Sequence, residues 1–273
     1  MAESEKICTI QIDAKPVSVP VGTTILEAGR KAGVEIPTLC HHPALEPYGV
    51  CRVCIVELKR GRRVRVVTAC NFPIEEDGLE ISTNSERIQK DRRTVIELLL
   101  ARCWSSPVIR EFAAKHGVRD TDLEKMEGEE CILCGLCVNV CRDLIGQAAI
   151  GFESRGADRK TATPFGDPSE DCIGCGACAY VCPTGCIQLE DLPQERMIDR
   201  WMTLLPVFKC RECGQSFGSV RQLELLKSRQ PVVKFYLELC PGCRGKSLGA
   251  ALLGPASCHS ERSEESLRFG SRT

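Results

Sequence analysis

No apolar run in this chain approaches the ~20 residues that a bilayer-crossing helix needs. Val95 to Ala101 is interrupted by Glu97, and Leu248 to Ala256 is rich in Gly and Ala. Any membrane association is therefore expected to go through a partner. The opening Met1-Ala2-Glu3-Ser4-Glu5-Lys6 has no basic segment leading into an apolar one, so no export signal is apparent. An excess of one charge is missing too. Thirty-six Lys and Arg against 37 Asp and Glu leave a net charge of −1, without the footprint of a nucleic-acid binder. Aromatics make up 5% of the residues and are nowhere interleaved with a basic stretch, which counts further against nucleic acid. Neither G-x-G-x-x-G nor a P-loop is present, which removes NAD and flavin binding from the chain. A Rieske centre would need C-x-H paired with C-x2-H, and the second element is absent.

Cysteine, by contrast, is abundant, with 20 in 273 residues. Grouped as C-x2-C in a chain with no export signal, they read as metal ligands in a reducing cytosol rather than as disulfides. Two near-copies of one run stand out: Cys131-x2-Cys134-x2-Cys137-x3-Cys141, and Cys172-x2-Cys175-x2-Cys178-x3-Cys182 followed by Pro183. In this spacing three thiolates grip one cubane and the fourth reaches across to the other. Two 4Fe-4S clusters are expected, one on Cys131, Cys134, Cys137 and Cys182, the other on Cys172, Cys175, Cys178 and Cys141. Loop glycines such as Gly174 and Gly176 belong to this pattern.

Upstream, residues 6–81 read as short strands and turns. Ile7 to Ile12 alternates, Asp13-Ala14-Lys15-Pro16 signals a turn, and Val17 to Val21 alternates again, which predicts a hairpin. Thr23 or Thr24 can cap a helix through Ile25, Ala28 and Ala32 that Gly33 ends. Cys54 to Leu58 is expected to pair with Arg63 to Cys70 across a basic tip. This is the opening of a β-grasp domain. On it lie Cys40, Cys51, Cys54 and Cys70, spaced C-x10-C-x2-C-x15-C. Four thiolates around a central C-x2-C can close on a 2Fe-2S cluster, with Gly49 in a loop whose amides turn inward. A zinc ion is the alternative; the frame and the downstream cubane runs favour iron. His41 and His42 follow a ligand directly, and solvent-facing histidines are the plain reading. The basic run Lys59 to Arg65 is read as a solvated hairpin tip rather than a docking patch for an acidic partner.

Residues 1 to about 205 resemble the amino-terminal iron–sulfur region of the large electron-transfer subunit of NADH dehydrogenases. That region is shared with diaphorase subunits of NAD-linked hydrogenases, iron-only hydrogenases and NAD-linked formate dehydrogenases. The resemblance lies in Pro37-Thr38-Leu39-Cys40-His41-His42, in Gly49 to Glu57, and in the connector from Ala149 to Gly166. The connector belongs to a 30-residue insertion, Arg142 to Asp171, between the two cubane runs. The family typically carries a further cluster on a His-x3-Cys-x2-Cys-x5-Cys loop after a helix. Here the helical stripe Ile88, Arg92, Val95, Leu98, Leu99, Arg102 is present, but the loop holds only Cys103. That cluster is expected to be absent, Cys103 to be buried or inert, and Pro107 to Gly117 to form an amphipathic helix in the vacated volume. Electrons would then pass directly from the 2Fe-2S centre to the nearer cubane.

Beyond Glu190, Cys210-x2-Cys213 and Cys240-x2-Cys243 form two knuckles 26 residues apart. Strand-like runs are expected at Pro206 to Lys209 and Val232 to Leu239, with a helix from Ser219 to Lys227 between. This zinc-ribbon-like layout suggests a structural zinc; a rubredoxin-like iron site or a fourth cluster is the alternative. Cys8, Cys103, Cys186 and Cys258 remain unassigned, with Cys186 read as a core filler.

The expected architecture is α+β. It comprises a β-grasp 2Fe-2S domain (1–84), a helical linker (85–126), a two-cluster 4Fe-4S domain (127–195), a zinc-ribbon-like module (205–248) and a disordered tail (254–273). The expected role is an electron-transfer subunit with no catalytic residues of its own. It would relay single electrons between a flavin and NAD(P)-binding subunit and a second redox module of hydrogenase, formate dehydrogenase or quinone-reductase type. The expected location is the cytoplasm, or the cytoplasmic face of a membrane through a partner. A redox-sensing regulatory or scaffold protein, using the ribbon to bind a partner or nucleic acid, is the alternative of a different class.

Overall fold

The computed structural model describes residues 6–229 and 234–253; the tail 254–273, including Cys258, lies outside them. Strands β1 (Ile7–Ile12) and β2 (Lys15–Pro20) form a full antiparallel hairpin. Cys8, Ile10 and Ile12 alternate inward against Val17 and Val19. The two turn residues, Asp13 and Ala14, both take positive φ, which matches the right-handed twist of a tight hairpin. Asp13 also accepts from the Thr83 amide at 2.8 Å and its hydroxyl at 2.5 Å. Helix α1 (Ile25–Lys31) starts at a complete capping box, Thr24 with Glu27. It packs Ile25, Leu26 and Ala28 onto the sheet.

Strands β3 (Ile55–Arg60), β4 (Arg63–Thr68) and β5 (Glu80–Ser82) complete a sheet of order β2-β1-β5-β3-β4. Only β1 and β5 run parallel. This is the expected β-grasp frame. The central strand, β5, was not legible in sequence, because three residues are too few to show alternation.

Helix α2 (Glu86–Arg102) is capped by Ser85 and docks through a buried arginine. Arg92 donates to the carbonyls of Val53 (3.0 Å), Ile55 (2.8 Å) and Thr83 (3.0 Å). Helix α3 (Pro107–Lys115) follows, with Ser106 as its cap and Pro107 in the first turn. Ile109, Ala113 and Val118 join Ile96, Leu100 and Cys103 in a second core. The amphipathic helix expected over Pro107 to Gly117 is thus present.

The two cubane runs carry short helices, α4 (Leu136–Asn139) and α5 (Ala177–Tyr180), in contact with each other. Alpha-helical α4 widens into a π-helical turn, Val140–Ile145, that carries Cys141. The connector forms a small hairpin of β6 (Gly151–Glu153) and β7 (Lys160–Ala162).

A four-stranded sheet then runs through β8 (Leu189–Asp191), β9 (Glu195–Ile198), β10 (Thr203–Lys209) and β11 (Ser216–Ser219). Its order, β11-β10-β9-β8, makes it a continuous bridge from the cubane region to the C-terminal knuckles. Helices α6 (Val220–Arg229), α7 (Lys234–Leu237) and α8 (Pro241–Leu253) follow. The strand expected at Val232 to Leu239 is corrected: residues 234–237 are helical, Cys240 immediately precedes α8, and 232–233 lie outside the described residues. An apolar run of that length reads equally as strand or buried helix by pattern alone. No helix among the described residues is long and apolar enough to cross a membrane.

Arg92→Met should destabilise the N-terminal half by about 3 kcal/mol, because it strips a charged donor from three buried carbonyls. Chemical denaturation followed by far-UV circular dichroism measures the loss, and a change under about 0.5 kcal/mol would contradict the anchoring role.

Candidate iron–sulfur and metal sites

Cys40, Cys51, Cys54 and Cys70 converge from the loop after α1, the loop before β3 and the end of β4, and all four are buried. The Cys51 thiol is drawn down to about 6, first by the hydrogen bond from Cys40 and then by backbone amides that include Val53. Cys54 is drawn down to about 7, first by Cys70. Their partners Cys40 and Cys70 are pushed up by the same hydrogen bonds and by burial. Thiols this close compete for protons, which is the electrostatic character of a site that holds sulfur anions against a cation. Gly49 lies at φ 69°, and a Cβ there would stand 2.6 Å from Asn71 Nδ2. A side chain would therefore push Asn71 out of the loop. Arg92, through Val53 and Ile55, fixes the segment that presents Cys54. His41 is held below the ordinary imidazole range, first by burial and then by Arg30.

The structure gathers the cubane cysteines across the two runs. Cys141, from the first run, lines one small cavity of about 20 Å³ together with Cys172, Cys175 and Cys178 of the second. Ile150, Ile198 and Trp201 make much of the rest of its wall. Trp201 donates its indole N–H to Cys178 Sγ at 3.4 Å. Reciprocally, Cys182 acts electrostatically on Cys134 and Cys137, beside Cys131. Burial, first of all, pushes the Cys134 thiol up to about 12. The Leu133 amide points at Cys131 Sγ at 3.4 Å. Gly176, at φ 76°, precedes α5 where a Cβ would meet Leu189 Cδ1 at 2.5 Å. Cys186, read from the sequence as a core filler, packs against the core and also sets its Sγ 3.6 Å from that of Cys182.

Cys40 and Cys51 share one apolar core with Cys134, and Val53, Ile132 and Leu136 belong to it. His42 meets Tyr180 of α5 edge-on, with ring centroids 6.3 Å apart. The volume beside this seam is filled by α3 and by Cys103, which is fully buried. Burial is the main reason that Cys103 is pushed up to about 12, a thiol and not a thiolate.

Cys210, Cys213, Cys240 and Cys243 bring their sulfurs within 4.8 Å of one another. One pair comes from the turn between β10 and β11, the other from the residue before α8 and its first turn. The Cys240 amide donates to Cys210 Sγ at 3.2 Å, and the Cys243 amide to Cys240 Sγ at 3.4 Å. The donor set fits a tetrahedral thiolate site. This module clasps the second cubane region: Ser219 Oγ donates to the Ile173 carbonyl, and Arg221 donates to Glu170 O at 2.9 Å. Arg229 reaches Ile145 O at 3.4 Å. Sequence reading missed Trp201, Arg200 and Glu129, none of which belongs to a motif.

Comparison with known proteins agrees with this geometry. Residues 5–86 match a 2Fe-2S iron-sulfur cluster binding domain, and residues 130–186 match a 4Fe-4S dicluster domain. The chain is 33% identical over 203 residues to the NADPH-Fe(3+) oxidoreductase subunit alpha of Geobacter sulfurreducens, covering 66% of this chain and 24% of that protein. It is 30% identical over 210 residues to a subunit of the NADH-quinone oxidoreductase of Streptomyces coelicolor, covering 67% and 24%. The chain thus spans about a quarter of the length of these curated relatives. Among solved structures, an NAD+-reducing [NiFe]-hydrogenase in the H2-reduced state matches with TM-score 0.56 and 27% identity, over 65% of this chain and 85% of that one. The resemblance to the iron–sulfur subunits of NADH dehydrogenases and NAD-linked hydrogenases is therefore borne out.

Cys103→Ala should leave iron content unchanged, and native Cys103 should resist iodoacetamide until the protein is denatured. Peptide mapping of labelled cysteines and iron analysis check these two outcomes. Loss of iron in the variant would show that Cys103 takes part in a cluster site.

Proposed function

We propose that this chain is the electron-transfer subunit of a multi-subunit oxidoreductase. In this reading it relays single electrons through one 2Fe-2S and two 4Fe-4S clusters between a flavin and NAD(P)-binding subunit and a second redox subunit of hydrogenase, formate dehydrogenase or quinone-reductase type. Iron–sulfur clusters, when bound, take up and release one electron at a time, which couples a two-electron flavin site to a distant acceptor. The observation that carries the reading is the exchange of fourth cysteines: Cys141 lies with Cys172, Cys175 and Cys178, while Cys182 faces the Cys131–Cys137 run. That exchange is the signature of a two-cluster ferredoxin rather than of two independent metal knots.

The chain's own residues support a direct step between its first two centres. Cys51 and Cys134 sit in the same core, and the α2–α3 turn offers only Cys103 where relatives of this type carry a further cluster. Cys40, Cys51, Cys54 and Cys70 would hold the 2Fe-2S centre. For the C-terminal module we favour structural zinc on Cys210, Cys213, Cys240 and Cys243, since four thiolates close a tetrahedral site and no further group is needed. Zinc carries no electron, so this module would act by covering the second cubane region, not by extending the relay. The functional units would then be residues 1–84, 85–126, 127–195 and 205–248.

Anaerobically reconstituted protein should contain roughly ten iron atoms per chain and show one 2Fe-2S and two 4Fe-4S signals by electron paramagnetic resonance after reduction. Absence of the low-potential cubane signals would overturn the relay. Co-purification from the native host should recover a flavin-containing partner; tight binding to DNA or RNA instead would favour the regulatory alternative. Elemental analysis should find one zinc per chain, lost in Cys213→Ser with iron retained, whereas rubredoxin-like absorption from this site would sink the zinc assignment.

A further inference from the structure

One buried polar atom near the cubane cysteines has no partner. Arg200 Nε is inaccessible to solvent and makes no hydrogen bond. Its side chain is 21% exposed, and its guanidinium lies on the Cys131 side of the first cubane region. There it meets Glu129, NH2 to Oε1 at 3.6 Å. Glu129 is itself pinned. Its Oε1 accepts from the amides of Glu130 at 2.9 Å and Cys131 at 2.7 Å, and its Oε2 lies 3.8 Å from Arg102 NH2. Arg102 in turn donates Nε to the Cys131 carbonyl at 2.9 Å. Two guanidinium groups therefore meet one carboxylate beside the first ligand of the first cubane.

The second cubane region is arranged differently. Its arginine, Arg196, is cancelled by a bidentate pair with Asp191 at 2.6 and 2.8 Å. Its NH1 donates to the Gly174 carbonyl at 3.1 Å. The group that touches a ligand sulfur there is the neutral indole of Trp201. One region thus carries an uncancelled cation with an unspent donor, and the other a neutral donor beside a closed ion pair.

We propose that Arg200, whose charge Glu129 partly offsets, is a potential-setting residue that places the reduction potential of the first cubane above that of the second. The inference rests on the ligand assignment proposed above. Reducing a 4Fe-4S centre by one electron adds one negative charge, and no proton need move, since arginine stays protonated throughout. A fixed buried cation favours the more negative state, and does so more strongly where water is excluded. The sulfur and carboxylate charges acting on the guanidinium are those of Cys186, Cys131, Glu129 and Cys137. An arginine placed for packing alone would have spent its Nε–H on a carbonyl, as Arg92 and Arg102 do.

The test is potentiometric titration of the full chain followed by electron paramagnetic resonance. Cys134→Ser and Cys175→Ser, each disabling one cubane, assign the two signals. In the wild type the first cubane should reduce at the higher potential. Arg200→Gln should make its reduction at least tenfold less favourable, a fall of about 59 mV for a one-electron couple, and leave the second cubane where it was. Arg200→Lys, which keeps the charge, should restore most of the difference. Glu129→Gln, which removes the compensating charge, should move the first cubane upward and remains informative if Arg200→Gln does not load iron. Equal shifts of both cubanes, no shift in Arg200→Gln, or a downward shift in Glu129→Gln would overturn the inference. A wild type with no cubane signals would overturn the ligand assignment as well.

Discussion

The middle of the molecule is arranged around two cysteine runs that each set their fourth thiol beside the other: Cys141 lies with Cys172, Cys175 and Cys178, and Cys182 acts on Cys134 and Cys137. Under the proposed ligand assignment neither site could be completed while its partner is unfolded. The exchange forces α4 and α5 together and places Cys141 on a widened helical turn that swings it toward the second run. It also brings Cys137 and Cys178 close enough to influence one another. The cysteines converge here within a core of Ile150, Ile187, Ile198 and Trp201.

Much of this was legible in the sequence, because the signals are local. The hairpin of β1 and β2, the capping box at Thr24, the stop at Gly33 and the pairing of β3 with β4 all follow from short stretches read in isolation. Cysteine spacing pointed to the two domain types that the family models match, since the pattern itself marks a 2Fe-2S domain and a dicluster run. The failures have one cause, a feature decided by distant neighbours. Strand β5 is too short to alternate and exists because Glu80–Ser82 finds β1 on one side and β3 on the other. The run before Cys240 has the composition of a strand, yet it is helical over residues 234–237, ahead of the turn that presents Cys240 and Cys243.

The groups behind the ligands were illegible for the same reason. Glu129 precedes a ligand and looks like one more acidic residue in a charged loop, while Arg200 sits far along the chain after an ordinary strand. Only folding shows that they meet, with Arg102 supplied by a third element. The helix that ends at Arg102 leads into the turn holding Cys103, α3 packs over that turn, and the end of α2 braces Cys131.

The apolar seam that joins Cys40 and Cys51 to Cys134 has a further consequence. When charge moves in water, many dipoles must reorient before the new distribution is stable, and that reorientation is a barrier. Val53, Ile132 and Leu136 have no side-chain dipoles to turn, and close packing keeps water from entering between them. A contact that reads as ordinary hydrophobic docking therefore also keeps the medium nearly unresponsive to a passing charge. With Cys40, Cys51 and Cys134 all buried against this seam, the nuclei between them have little to rearrange.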